Sequence, residues 1–68
     1  MTTYKGKTVY EAELAGDPYI QVFDDNDEAV GEFSCLPEVY DAVLEAEGWK
    51  RVSDWNERGI CKVISIAN

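Results

Sequence analysis

Only one stretch of this chain, Leu36 to Trp49 (LPEVYDAVLEAEGW), repeats its apolar residues at helical spacing for three turns. Leu36, Val39, Tyr40, Val43 and Leu44 fall at i, i+3, i+4, i+7 and i+8, which predicts a buried stripe on one side of a 3.6-residue period. The ends of this helix carry their own signals. Pro37 suits a first helical position, where its missing N–H would have no partner, and Glu38 and Asp41 stand where the helix dipole favours negative charge. Gly48 can take the left-handed conformation that closes a helix, with Trp49 beyond it placed to fold back on Leu44. A helix of about eleven residues is marginal alone in water, so it must pack across a sheet.

The flanking segments supply that sheet. From Thr8 to Leu14 the chain alternates, with Tyr10, Ala12 and Leu14 pointing one way and Val9, Glu11 and Glu13 the other. Ala15-Gly16-Asp17-Pro18 is a turn, and Tyr19 to Phe23 (YIQVF) reads as the hairpin partner. A second turn at Asp24 to Glu28 leads into a short strand from Ala29 to Phe33, where Gly31 marks a bulge or a close approach. After the helix, Lys50 to Trp55 and Ile60 to Ile66 form a hairpin around Asn56-Glu57-Arg58-Gly59. The last strand is apolar on both faces, with Ile60, Ile64 and Ile66 on one and Cys61 and Val63 on the other, which suggests a central place in the sheet or a face covered by a partner. The predicted fold is a small single α+β domain of order β-β-β-α-β-β, an antiparallel sheet with one helix packed across one face. Residues 1 to 6 carry little pattern, and Gly6 reads as a flexible join.

One helix covers only one face. If Tyr19, Phe23 and some of Val9, Ile60, Ile64 and Ile66 lie on the other, they form an apolar patch ringed by carboxylates, a candidate surface for dimerisation or partner docking.

Charge narrows the functional classes further. Fourteen acidic residues against six basic ones give a net charge of −8 over 68 residues, and their segregation is sharper than their total. Between Thr8 and Trp49 stand twelve carboxylates (Glu11, Glu13, Asp17, Asp24, Asp25, Asp27, Glu28, Glu32, Glu38, Asp41, Glu45, Glu47) and no Lys or Arg. Every cation lies outside that segment: Lys5, Lys7, Lys50, Arg51, Arg58 and Lys62. Direct binding of nucleic acid is disfavoured by such a surface. No apolar run approaches the length of a membrane span, and MTTYKGKT lacks the apolar core of a signal peptide, so the chain reads as cytoplasmic. Cys35 and Cys61 have neither CxxC spacing nor a secretory context and are expected as reduced thiols.

Catalytic chemistry finds little to work with. The chain has no histidine, which removes the commonest general base and any Ser-His or Cys-His pair. Cys35 lies just ahead of a helix N-terminus, but Glu38 opposes any lowering of its pKa, and it reads as a structural thiol. Asp24-Asp25-Asn26-Asp27-Glu28 invites a calcium reading that fails at Ala29, where an EF-hand loop needs glycine, and at Cys35, where it needs a bidentate Glu. No cofactor, no metal site and no enzymatic activity are expected.

What remains is a protein-interaction module. Its acidic surface would dock on a basic, nucleic-acid-binding surface of a partner protein, as an inhibitor or regulator that mimics nucleic acid. Glu38, Asp41 and Glu45 are expected on the solvent side of the helix, about 4.5 and 6 Å apart along its axis. With Asp24, Asp25, Asp27 and Glu28 of the loop, and Tyr19 and Phe23 of the sheet, they are the candidate contact residues. Phage-encoded anti-CRISPR proteins are often of this size and charge, a likeness of bulk properties and not of motif. The rival expectation is an accessory subunit or housekeeping domain that dimerises or binds through the apolar sheet face, its acids serving only solubility or adaptation to salt.

Overall fold

A computed structural model describes residues 3–16 and 18–66; Asp17, at the first predicted turn, lies outside them. The sheet is built about β2 (Lys7–Leu14), whose alternation sets its two faces. On one side β2 pairs antiparallel with β3 (Tyr19–Phe23), setting Ala12 opposite Val22 and Leu14 opposite Ile20. On the other it pairs with β6 (Ile60–Ser65), setting Tyr10 opposite Val63 and Ala12 opposite Cys61. An outer strand flanks each of these pairs: β4 (Ala29–Ser34) lies beside β3, and β5 (Trp49–Arg51) beside β6. The sheet order is therefore β4-β3-β2-β6-β5, with β6 in an interior position that fits its two-sided apolarity.

The chain leaves β4 at one edge and enters β5 at the other, so the helical segment between them crosses the whole sheet. Residue by residue, Tyr10, Ala12, Leu14, Ile20, Val22, Cys61 and Val63 share the helix-facing side of the sheet, and Tyr40 and Leu44 of α1 (Tyr40–Ala46) close the core over them. The fold is α+β, with six antiparallel strands and one α-helix among the described residues, in the order β-β-β-β-α-β-β. The additional strand is β1 (Thr3–Tyr4), which pairs with Lys7 and Thr8 of β2. Lys5 (φ 49°) and Gly6 (φ 81°) both take the left-handed conformation, which gives a two-residue turn whose twist suits a hairpin. Lysine is an unusual occupant of such a turn, and the hairpin was hidden from pattern for that reason.

The predicted stripe is corrected at its N-terminal end. Pro37–Val39 form a 3₁₀ turn, and only Tyr40–Ala46 are α-helical. Tyr40 and Leu44 are buried and Val43 is half-buried, whereas Leu36 and Val39 are 61% and 42% exposed. A 3₁₀ turn winds at about three residues per turn, so the phase that would align all five residues in a continuous helix is lost at Val39. Leu36 is itself extended (φ −71°, ψ 151°) ahead of that turn. At the other end Gly48 (φ 97°) closes the helix as predicted, its N–H donating to the Glu45 carbonyl at 3.1 Å. Trp49 runs directly into β5, and its ring meets Tyr10 edge-on at 4.8 Å.

One strand is shorter than predicted, and the pairing of another carries a bulge. The strand predicted over Lys50 to Trp55 ends at Arg51. Beyond it the Ser53 hydroxyl, not a backbone carbonyl, accepts the Lys62 N–H at 2.8 Å, while Trp55 turns inward to pack its ring against Tyr40 at 5.9 Å. Where β3 pairs with β4 the register slips between Val22 and Phe23: Val22 faces Gly31 and Phe23 faces Ala29, which leaves Val30 of β4 as the extra residue of a bulge. Gly31 beside it is also a close approach, since a Cβ there would stand 2.8 Å from the Phe33 ring and 3.5 Å from Trp49 Nε1.

Candidate interaction site

The Asp24 to Glu28 loop is built by its first residue. Asp24 Oδ1 accepts the N–H groups of Asn26 (2.8 Å) and Glu28 (3.0 Å), while the Asp24 carbonyl accepts from Asp27 N–H at 3.1 Å. Asp24 is thus a structural acceptor. The loop it shapes presents Asp25, Asp27 and Glu28 to solvent, and none of these three carboxylates has a hydrogen bond or ion pair with the described residues.

On the helical segment the three predicted contact residues part company. Asp41 is held in a fork by Arg51, Oδ1 to Nε at 2.9 Å and Oδ2 to Nη2 at 3.0 Å. Arg51 also donates to Asp54 Oδ1 (3.2 Å) and to the Ser53 carbonyl (3.0 Å), so one guanidinium ties α1 to β5 and to the loop that follows it. Donation to the Asp41 carboxylate, first among several causes, holds the Arg51 pKa above its ordinary value. Glu38 and Glu45 remain exposed and unpaired among the described residues, as does Glu47 beyond them.

The sheet face away from the helix holds Tyr19 and Phe23, as predicted, but charge divides it. Cross-strand pairing sets Phe23, Glu11 and Lys62 in one row, and Lys62 Nζ bridges Glu11 Oε2 at 3.1 Å. The next row is Glu32, Gln21, Glu13 and Ile60, in which Gln21 Nε2 donates to Glu32 Oε1 at 3.1 Å. Val9 and Ile64, opposite each other, are buried despite lying on this face. The apolar residues therefore form separate islands. A hollow of about 180 Å³ brings Phe23 together with Asp24, Asp25 and Asp27 beside the Glu11–Lys62 pair. Tyr19 stands at the other end of β3 near Glu32, where burial and that carboxylate raise its phenol pKa.

The two cysteines are free thiols. Burial pushes Cys61 up to about 12, an effect that nearby Arg51 partly opposes, and burial also raises Cys35, so both are poor nucleophiles at neutral pH. Among the described residues no three His, Cys, Asp or Glu side chains are placed to hold a metal ion, and no helix is long and apolar enough to cross a membrane.

Sequence reasoning missed the Arg51 fork and the Glu11–Lys62 bridge. The first had a usable signal, since Arg51 with Lys50 ends a 42-residue stretch without cations; the second joins residues 51 positions apart and had none. Compared with known proteins, the chain matches no family model, no curated protein and no solved structure. Its function has to be argued from its own residues.

Proposed function

We propose that this chain is a small interaction module whose acidic surface docks on a basic, nucleic-acid-binding surface of a partner protein and so inhibits or regulates it. One observation carries the reading: Asp25, Asp27, Glu28, Glu38, Glu45 and Glu47 are exposed carboxylates to which the described residues supply no counter-ion. Such groups accept short, charge-assisted hydrogen bonds from Arg and Lys, the side chains that hold nucleic-acid phosphates. The contact set changes from that expected of the sequence. Asp24 and Asp41 are engaged within the protein, which leaves Asp25, Asp27 and Glu28 of the loop with Glu38 and Glu45 of the helical segment. The rival reading, a partner on the apolar sheet face, draws less support because the Glu11–Lys62 row divides that face.

Capture of partners from host lysate at low and high salt, followed by competition with duplex DNA, tests the docking reading. Partners should be lost steeply as salt rises and displaced by the DNA. Asp25→Asn, Asp27→Asn and Glu28→Gln combined should weaken capture without lowering the melting temperature. Partners that survive high salt and ignore the triple variant would overturn the proposal.

A further inference from the structure

We propose that Leu36 and Val39 form the apolar point on which this acidic module seats in its partner, and that the partner supplies an aliphatic recess edged by Lys or Arg. The inference rests on the docking reading above and locates its centre. Leu36 and Val39 are 61% and 42% exposed, although both are large aliphatic residues at positions a continuous helix would bury. The Val39 N–H donates to the Leu36 carbonyl at 3.0 Å, so the two residues are the first and last of one closed turn. Pro37 between them fixes its own φ, so the turn is stiff and loses little freedom when it is gripped.

Charge complementarity selects the occupant. Glu38 lies within the turn and Glu45 further along the same segment, both exposed, and no cation occurs between Thr8 and Trp49. A second copy of the chain would bring −8 against −8. A neutral apolar partner would strip water from Glu38 without replacing it, which is costly. Aliphatic contact bordered by guanidinium or ammonium groups satisfies both halves of the surface, with the apolar centre excluding water and the charged rim setting orientation.

Two synthetic peptides of equal length and charge, one alternating Arg with Leu and one Arg with Ser, provide the test by fluorescence anisotropy at low salt. The parent protein should bind the Arg-Leu peptide about tenfold more tightly, as expected when a short peptide covers part of the exposed surface of two aliphatic side chains. Leu36→Ser with Val39→Ser should bring that ratio close to one at an unchanged melting temperature. If that pair of changes disturbs the fold, Leu36→Ser alone should still lower the ratio. Val30→Ser, which removes a side chain 47% exposed on β4, should leave the ratio intact. A parent that does not discriminate, a ratio that survives loss of Leu36 and Val39, or an equal loss with Val30→Ser would each overturn the proposal. If the parent binds neither peptide, the docking reading fails, and the seat fails with it.

Discussion

In the β3–β4 loop the Asp24 carboxylate accepts backbone N–H groups two and four residues ahead, at 2.8 and 3.0 Å; in the β5–β6 loop the Asn56 amide oxygen does the same for Arg58 and Ile60, at 2.8 and 3.0 Å. The main chain repeats the likeness. Asp24 N–H meets the Glu28 carbonyl at 3.0 Å and Asn56 N–H meets that of Ile60 at 2.9 Å, while the fourth loop residue is left-handed in both, Asp27 at φ 61° and Gly59 at φ 77°. Two sequences, DDNDE and NERGI, thus build one loop. What differs is the fourth residue and its surroundings. Gly59 lies against Leu14, where an added Cβ would come within 3.2 Å of the Leu14 Cβ, and its carbonyl accepts the Leu14 N–H at 2.8 Å. Asp27 stands in the open and keeps a conformation that glycine adopts more readily. Neither the loop hydrogen bonds nor packing requires acids at positions 25, 27 and 28, so their charge belongs to the surface.

Six substitutions probe this likeness between the two loops. The largest effect sets the scale: Leu44, fully buried over the inner sheet face, should cost about 2–5 kcal/mol when changed to Ala, read by urea unfolding. A smaller loss would mean that the helix contributes less to the core than its burial indicates. Gly59→Asp gives the second loop the residue that the first carries at the same place. It should destabilise by roughly 2–3 kcal/mol, the sum of a left-handed side chain and a crowded Leu14. If Gly59→Asp proves neutral, the two loops are interchangeable and the contact with Leu14 is slack.

Third, Asn56→Ala and Asp24→Ala each remove the acceptor of two backbone N–H groups and should lose about 1–2 kcal/mol. Asp24→Asn retains the acceptor and should stay close to the parent in thermal melts. A large loss with Asp24→Asn would show that the loop needs charge at that position. The smallest effect has the opposite sign: Asp27→Gly should gain about 0.5–1 kcal/mol by relieving a left-handed Asp. A melting temperature that falls instead would show that Asp27 contributes something the loop geometry does not account for.

Much of the architecture was legible in local pattern. Tyr19–Phe23 is a strand over the residues predicted, and the alternation from Thr8 to Leu14 assigned its two faces as the structure has them. The two-sided apolarity of β6 fits its interior position, one of the two explanations it allowed. Where legibility ended, as at the β1 hairpin and the short β5, the deciding interactions were a lysine in an uncommon turn and a serine hydroxyl standing in for a backbone carbonyl. The candidate site was legible only in its charge. Asp24, Asp25 and Asp27 look alike in sequence, and hydrogen bonding alone sets the first apart as a scaffold.

Local pattern established the α+β class, the C-terminal end of the helix and the gathering of twelve carboxylates in one segment, because periodicity, turn residues and charge are properties of neighbours along the chain. Tertiary structure decided which of those groups are free. Asp41 finds Arg51 ten residues away across the helix–strand corner, Glu11 finds Lys62 fifty-one residues away on the neighbouring strand, and a 3₁₀ turn rotates Leu36 and Val39 out of the stripe they share with Tyr40 and Leu44. Each outcome depends on which segments the fold brings side by side, and on the winding of one turn, neither of which a local pattern specifies.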